Sequence, residues 1–161
     1  MNLTVRPAEV TDAAQMAALL NEIIAIGGTT AMTTPLSAED MVAWMAKKAD
    51  RSAWHVAVDG DQVLGFQLIT PQNDIPPEAT DIATFAKVGQ VKRGVGSALF
   101  EATQEAARAL GYTWINANIR TDNTGGVRYY DSRGFRTYHT KIDVDLGESL
   151  IVDKVLKRFD L

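Results

Sequence analysis

A glycine-rich segment with two adjacent basic residues is the clearest candidate for chemistry in this chain. Residues 88–100 read Val-Gly-Gln-Val-Lys-Arg-Gly-Val-Gly-Ser-Ala-Leu-Phe, and the glycine pair falls where a predicted strand passes into a predicted helix. Glycine lets the backbone approach a phosphate group closely, and the first free N–H groups of a helix point at that anion. A tight turn that binds nothing fits the segment equally well. The anion-binding interpretation predicts contacts from Lys92, Arg93, Gly94, Val95, Gly96 and Ser97.

The same segment does not fit a dinucleotide-binding fold of the Rossmann type. That fold needs a third glycine in the first turn of the helix, where this chain has Leu99 and Phe100. It also needs an acidic residue at the end of the next strand, and Arg120 stands there instead. We therefore reject the Rossmann interpretation.

A second group of residues follows the next apolar strand. Asn123 is followed by Tyr130 seven residues later and then by Gly134 and Phe135. A phenol titrates near ~10, so Tyr130 is protonated at neutral pH and could give a proton to a leaving group. Taken alone, Tyr130 is more simply an aromatic side chain at the edge of the core, and Asn123 is equally well a helix N-cap.

Together the two groups resemble the GNAT superfamily of N-acetyltransferases, above all its phosphinothricin-type members that act on amino acids and related small amines. The coenzyme A loop of that family follows the pattern Arg/Gln-x-x-Gly-x-Gly/Ala, and residues 91–96 match it at both glycines. Val91 occupies the Arg/Gln position, with Gln90 one residue early, so the resemblance supports a backbone cradle. The spacing from Asn123 through Gly-Phe also matches, with Gly126 in place of the usual Ala.

The resemblance implies acetyl-CoA as a co-substrate and a part for several residues. The glycine loop would bind the pyrophosphate of coenzyme A, and Asn123 would hydrogen-bond its pantetheine arm. Tyr130 would protonate the departing thiolate. The backbone N–H of Val88 would stabilise the oxyanion, at the point where the family's strands splay apart. Because the chain contains no cysteine, we expect direct transfer in a ternary complex.

The base that deprotonates the attacking amine is open to several interpretations. Asp81 begins the strand before the loop, and its position resembles that of a Glu used as the base in some members of the family. Glu78 and Glu22 compete for this role. A surface carboxylate without a mechanistic role is the alternative for each of them, and some relatives use a chain of water molecules.

The elements that must position these residues follow the order β-α-α-β-β-β-α-β-α-β-β within a single domain of residues 1–161. This order predicts a mixed α/β sandwich of the α+β class, and the GNAT resemblance implies a mostly antiparallel sheet of about seven strands, splayed in the middle, with about four helices. Strands are predicted at residues 2–6, 54–58, 62–70, 81–88, 112–119, 135–144 and 149–159. Helices are predicted between an N-cap at Thr11 and Gly27, and at residues 37–48, 97–110 and 124–133. The third helix is expected to bury Ala98, Leu99, Ala102, Ala106 and Ala109.

Composition excludes several classes of function. The absence of cysteine rules out disulfides and thiolate metal sites, and the two histidines, His55 and His139, lie too far apart to suggest a catalytic metal. A net charge of -4 argues against nucleic-acid binding. No apolar run is long enough to span a membrane and no signal peptide is evident, so we expect a cytoplasmic protein.

The sequence thus predicts an enzyme, an acetyl-CoA-dependent N-acetyltransferase acting on a small-molecule amine. An acceptor at a protein N-terminus or a lysine side chain remains an alternative, as does a non-catalytic module that senses acyl-CoA. The closing hairpin of residues 135–159 is rich in apolar residues and could pair with a second copy of the chain, so a homodimer is carried as an expectation.

Overall fold

The computed structural model describes residues 2–89 and 94–161. Within them, seven strands and four α-helices follow the predicted order. The strands are β1 (Leu3–Pro7), β2 (Ala53–Asp59), β3 (Gln62–Thr70), β4 (Ala79–Ala86), β5 (Trp114–Arg120), β6 (Arg136–Asp145) and β7 (Ile151–Asp160). The helices are α1 (Ala13–Ile26), α2 (Ala38–Ala46), α3 (Val95–Ala109) and α4 (Thr124–Ser132), with short 3-10 turns at Val10–Asp12 and Ala49–Arg51.

All seven strands form one sheet in the order β1-β2-β3-β4-β5-β7-β6. Every neighbouring pair is antiparallel except β4 and β5, which run parallel. The parallel pairing covers only residues 79–82 against residues 114–117. Since β4 continues to Ala86 and β5 to Arg120, the two strands part in the middle of the sheet, as the predicted splay requires.

The two faces of the sheet have separate cores. On one face, α1 and α2 pack on the central strands through Met16, Leu20, Met41 and Phe66, all fully buried. On the other face, α3 and α4 cover the sheet. Its core residues include Phe100, Ile115, Tyr130 and Phe135. Because side chains alternate along a strand, residues of β4 and β5 contribute to both faces in turn.

Several local predictions are wrong. The first helix takes its N-cap from Asp12, because the 3-10 turn at Val10–Asp12 includes Thr11. The third helix begins at Val95, and the strand before it ends at Ala86, so Val88 lies beyond the strand.

The predicted capping box at Ser37 is confirmed, since its Oγ accepts from the Asp40 N–H at 3.0 Å and the Asp40 carboxylate accepts from the Ser37 N–H at 2.9 Å.

The buried face of α3 also differs from the prediction. Of the expected residues only Leu99 is fully enclosed, and the alanine stripe lies partly exposed. The buried residues are Val95, Leu99, Phe100, Thr103 and Ala107. Larger apolar side chains remove more surface from water than alanines do, so the helix turns the face with Val95, Leu99 and Phe100 inward. No helix in the described ranges is long and apolar enough to cross a membrane.

Candidate active site

The parting of β4 and β5 leaves backbone groups of β4 facing an opening. The Lys87 N–H donates to the Leu64 carbonyl of β3 at 2.8 Å. In an antiparallel pair alternate residues point their N–H and C=O groups to opposite sides, so those of Thr84 and Ala86 point towards β5. The pairing with β5 has ended at Ile82, so an extended ligand containing amides could bond to them as an additional strand does.

The N-terminus of α3 lies next to this opening and provides donors for an anion. Gly94 is its N-cap in a left-handed conformation with φ of 72°, which favours glycine at this position. No side chain in the described part of the protein caps the first N–H groups of α3. The Arg133 guanidinium donates to the Ser97 Oγ at 2.6 Å and so brings positive charge to this helix end. Lys92 and Arg93, predicted to contribute here, lie outside the described residues.

Gly96 has a packing role that the sequence did not predict, and its contact with coenzyme A stays a prediction. A Cβ at this position would lie 2.6 Å from the Cε1 of Tyr129, so glycine is needed for close packing against that ring. The Tyr129 hydroxyl donates to the Gly96 carbonyl at 2.7 Å and accepts from the Gln67 amide at 3.1 Å. Tyr129 thereby ties the first turn of α3 to α4 and to β3, a contact that sequence reasoning missed.

Tyr130 places its hydroxyl at the edge of the opening. The side chain is buried, and its hydroxyl lies 2.8 Å from the Thr84 Oγ1 on β4. Gln67 donates to the same Thr84 oxygen at 2.9 Å. Burial raises the pKa of Tyr130 well above its ordinary value, so its phenol stays protonated throughout the physiological range. A protonated hydroxyl therefore stands beside the unpaired part of β4.

Asn123 is the N-cap of α4, the alternative that the sequence left open. Its Oδ1 accepts from the Gly126 N–H and its Nδ2 donates to the Thr29 carbonyl of the α1–α2 loop, both at 2.9 Å. A Cβ at Gly126 would collide with the Asn123 amide, which explains glycine at that position. The predicted contact of Asn123 with pantetheine stays a prediction.

Asp81 lies on the opposite face of the sheet from Tyr130. It belongs to the paired part of β4, one residue before the pairing with β5 ends. Its Oδ1 accepts from the Asn116 amide of β5 at 2.9 Å, and the Tyr138 hydroxyl donates to the Asn116 Oδ1. Surrounding protein atoms desolvate the carboxyl and raise its pKa to about 7, against the opposing hydrogen bond from Asn116. Such a group exchanges a proton readily near neutral pH.

A cavity of about 540 Å³ opens on this second face, and Asp81 is linked to its wall through the hydrogen bond from Asn116. Asn116 and Tyr138 form part of its wall, together with Trp114, whose ring meets that of Tyr138 edge to face at 5.8 Å. The volume lies within the ~300–1,000 Å³ of small-ligand pockets. The sheet therefore separates a tyrosine site on one face from a carboxylate and a cavity on the other, and β4 and β5 part just beyond Asp81.

The remaining predicted residues lie apart from this centre. Val88 follows β4, four residues beyond Thr84, which is about 13 Å of extended chain. Glu22 and Glu78 are exposed, and neither has a described side-chain contact with Asp81, Asn116 or Tyr130. In the described residues, no three His, Asp or Glu side chains come together as a group that could hold a metal ion.

Comparisons with known proteins identify both a sequence family and a set of similar folds. A family profile described as an acetyltransferase (GNAT) domain matches residues 2–136. A GNAT superfamily phosphinothricin acetyltransferase from Sinorhizobium meliloti, solved in complex with acetyl-CoA, superimposes with a TM-score of 0.88 at 18% identity, covering 100% of this chain and 89% of that one.

Two further structures have the same fold. A ribosomal-protein-alanine N-acetyltransferase from Brucella melitensis gives a TM-score of 0.90 at 19% identity, with 98% of this chain and 99% of that chain covered. A GCN5-related N-acetyltransferase from Kribbella flavida gives 0.84 at 27% identity, with 99% and 98% covered. The search of curated proteins finds no match to this sequence.

Proposed function

Because the chain belongs to the GNAT family of acetyltransferases, we propose that it transfers the acetyl group of acetyl-CoA to the primary amine of a small molecule, an amino acid or a related amine. The observation that carries this proposal is the opening between β4 and β5, with Tyr130 on one side and Asp81 on the other. A thioester held in that opening would have an acid on one side and a base on the other, which favours direct attack in a ternary complex.

The residues around the opening fit acetyl-CoA. The uncapped N-terminus of α3 behind Gly94 suits the pyrophosphate, and the Arg133–Ser97 pair adds charge next to it. The amides of the pantetheine arm match the N–H and C=O groups of Thr84 and Ala86. The Val95 side chain is buried, so its backbone N–H is the group that would contact the pyrophosphate. Lys92, Arg93 and Val88 stay predicted contacts of the same ligand.

Asp81 is proposed as the general base. An amine with a pKa of ~10 is almost wholly protonated at neutral pH, and it must lose a proton before its lone pair can attack the thioester carbon. Asp81, with a pKa of about 7, accepts that proton as the carbon–nitrogen bond forms. Its second carboxylate oxygen is the one available, since Oδ1 already accepts from Asn116.

The negative charge that develops on the carbonyl oxygen needs a fixed donor. The N–H groups of Thr84 and Ala86 point into the opening, and the Thr84 side chain contacts the Tyr130 hydroxyl, so we propose this pair in place of Val88 as the oxyanion donor. When the carbon–sulfur bond breaks, the thiolate of coenzyme A takes the proton of the Tyr130 hydroxyl, and Tyr130 is then reprotonated from solvent.

A protein N-terminus or lysine side chain is the second candidate acceptor, and one similar structure is named a ribosomal-protein-alanine N-acetyltransferase. A sensor module that binds acyl-CoA without turnover is the third, and the buried, hydrogen-bonded Tyr130 hydroxyl speaks against it. We further propose a cytoplasmic enzyme that forms a homodimer through its edge strand β6, where Ile142 and the neighbouring Ile151 of β7 are exposed.

The test is release of free thiol from acetyl-CoA in the presence of a broad panel of primary amines, together with calorimetric titration of acetyl-CoA. Amine-dependent thiol release that is lost in Tyr130→Phe, with acetyl-CoA affinity retained, supports the enzyme. Binding of acetyl-CoA without turnover of any amine supports the sensor. Failure to bind acetyl-CoA contradicts both.

A further inference from the structure

The wall of the cavity on the Asp81 face of the sheet contains more positively than negatively charged side chains. Arg136, Arg158 and Lys141 are in its wall. The two guanidinium groups share one carboxylate, that of Asp160, at 3.0 Å and 2.6 Å. Lys141 faces Asp74 at 3.6 Å. The three cations of the wall thus face two carboxylates, those of Asp160 and Asp74.

Arg158 is the cation that the structure holds in a defined position. Its guanidinium carbon lies 4.3 Å from the centre of the Trp114 ring, and its Nε donates to Asp160 at 2.6 Å. In residues 2–89 and 94–161 no hydrogen-bond partner occupies its two terminal nitrogens. A guanidinium stacked on an aromatic ring, with its outer nitrogens available, is arranged to bind a carboxylate with two parallel hydrogen bonds.

Strand register places Arg158 in line with the proposed base. Asp81 pairs with Asn116, and Asn116 pairs with Arg158 on the next strand. Residues paired across strands point to the same face, so all three side chains lie on the cavity side. Two strand spacings separate the Cα atoms of Asp81 and Arg158, which is about 10 Å.

Asp81 and Arg158 thus project from the same face of the sheet two strands apart, one with a carboxyl that can accept a proton from an amine and the other with a guanidinium that can bind an acid group. A small molecule that carries both an amine and a carboxylate, as an α-amino acid does, matches this pair of side chains. The rings of Trp114 and Tyr138 and the side chain of Leu156 provide apolar wall around it.

We propose that the acceptor is a free amino acid whose carboxylate binds the guanidinium of Arg158 while its amine lies beside Asp81. This rests on the proposed function and narrows its substrate class. A protein N-terminus has an amide where the amino acid has its carboxylate, so it would leave Arg158 without its anion. The same geometry therefore disfavours the protein acceptor.

The wild-type enzyme tests the proposal without any substitution. Each of the common amino acids is compared with its carboxamide by thiol release, and kcat/KM is measured for both. The carboxamide has the less basic amine, near the ~8 of a peptide N-terminus, so amine basicity alone would favour it. The proposal predicts that the best free acid exceeds its carboxamide by about 10-fold or more. Equal rates, or faster reaction of carboxamides, overturn it.

Substitution of Arg158 locates the effect. Arg158→Gln should lower kcat/KM for the best free acid by about 30-fold, mainly through KM, and change that for its carboxamide by less than about 3-fold. Arg158→Lys keeps the positive charge but loses the paired guanidinium nitrogens, so its kcat/KM for the best free acid should lie between those of the wild type and of Arg158→Gln. Arg108→Gln, on the exposed side of α3, removes one positive charge elsewhere and should leave both substrates unchanged.

The outcomes separate this inference from the proposed function. Acetyl transfer to amines with no preference for a carboxylate would overturn the inference and leave the acetyltransferase standing. Equal losses for acid and carboxamide in Arg158→Gln would show a structural role for Arg158 and overturn the assigned contact. If the variant does not fold by circular dichroism, the wild-type ratio still decides. No acetyl transfer to any amine would contradict the proposed function itself.

Discussion

The two faces of the sheet at the β4–β5 opening are built on different principles. On the α3–α4 face, Tyr130, Thr84, Gln67 and Tyr129 bond to one another in a buried neutral network. On the other face, Asp81 bonds to Asn116, which lies in the wall of a cavity with charged groups. The neutral network contains the tyrosine proposed to protonate the departing thiolate, whereas the cavity lies on the side of the proposed base. We infer that the first face serves the acyl donor and the second serves the acceptor.

Substitution of Asp81 should have the largest effect on activity, so it is the strongest test of the difference between the two faces. Asp81→Asn keeps the shape and the bond from Asn116 but removes the base, so kcat/KM should fall by about 100- to 1,000-fold at pH 8. In the wild type the rate should rise with pH up to about 7, as Asp81 ionises. This limb should be absent from the variant. A pH–rate profile of both proteins measures it, and an unchanged limb would assign the base to another group.

The same substitution should change stability in the opposite sense. The pKa of Asp81 is raised from 3.8 to about 7 in the folded state, so the folded protein binds the extra proton between these values. Stability is then lost as pH rises from about 4 to 7, by up to about 4 kcal/mol. The charges of Asp74, Lys141 and Lys154 also act on the Asp81 carboxyl. Asp81→Asn should be more stable than the wild type at pH 8 in urea denaturation, and equally stable at pH 4. A variant that is less stable at pH 8 would contradict the raised pKa.

Tyr130 tests the donor face. Tyr130→Phe removes one hydroxyl from the buried network and should lower kcat by about 100-fold. Because the ring and its packing remain, calorimetry should find acetyl-CoA affinity within about 3-fold of the wild type. The matched control is Tyr129→Phe, which removes the neighbouring hydroxyl bonded to Gly96. It should weaken acetyl-CoA binding more than it lowers kcat. If Tyr129→Phe instead lowers kcat and Tyr130→Phe instead weakens acetyl-CoA binding, Tyr129 would be the proton donor and the assignment to Tyr130 would be wrong.

Gly96 gives a smaller effect that separates packing from ligand contact. Gly96→Ala forces a methyl group against the Tyr129 ring and should destabilise the fold by about 1–3 kcal/mol. In the double variant with Tyr129→Leu the ring is gone, so most of that cost should disappear. Thermal unfolding of the single and double variants measures it. A cost that persists in the double variant would show that the ring is not what excludes a side chain at Gly96.

Asn123 should give the smallest effect. Asn123→Ala removes the N-cap of α4 and should cost about 1 kcal/mol of stability, while Asn123→Asp keeps the capping oxygen and should cost less. If acetyl-CoA binds as tightly to both variants as to the wild type, the predicted contact between Asn123 and pantetheine is wrong.

The sequence predicted well what depends on short spacing. The element order, the Ser37 capping box and the position of Tyr130 on the helix after β5 all follow from residues a few positions apart, and the structure confirms them. The predicted buried face of α3 is wrong. The stripe of alanines predicts one face, but the larger side chains of Val95 and Phe100 are the ones buried. Val88 was placed on β4 because nothing local marks the end of that strand at Ala86.

Most of the acceptor face could not be predicted in this way. The line from Asp81 through Asn116 to Arg158 depends on the register of three strands that are far apart in sequence. Arg133 reaches Ser97 across 36 positions, and Tyr138 reaches Asn116 across 22. Composition and periodicity say which residues are polar and buried, but they do not say which polar residues meet.

The central claim is that acetyl-CoA bonds to the unpaired part of β4, and amide NMR tests it most directly. Titration with acetyl-CoA should shift and protect the Thr84 and Ala86 amides, whereas adenosine 3′,5′-bisphosphate, which lacks the pantetheine arm, should affect the first turn of α3 without them. If acetyl-CoA binds and leaves both β4 amides unchanged, the opening is not the site of the thioester and the account is contradicted.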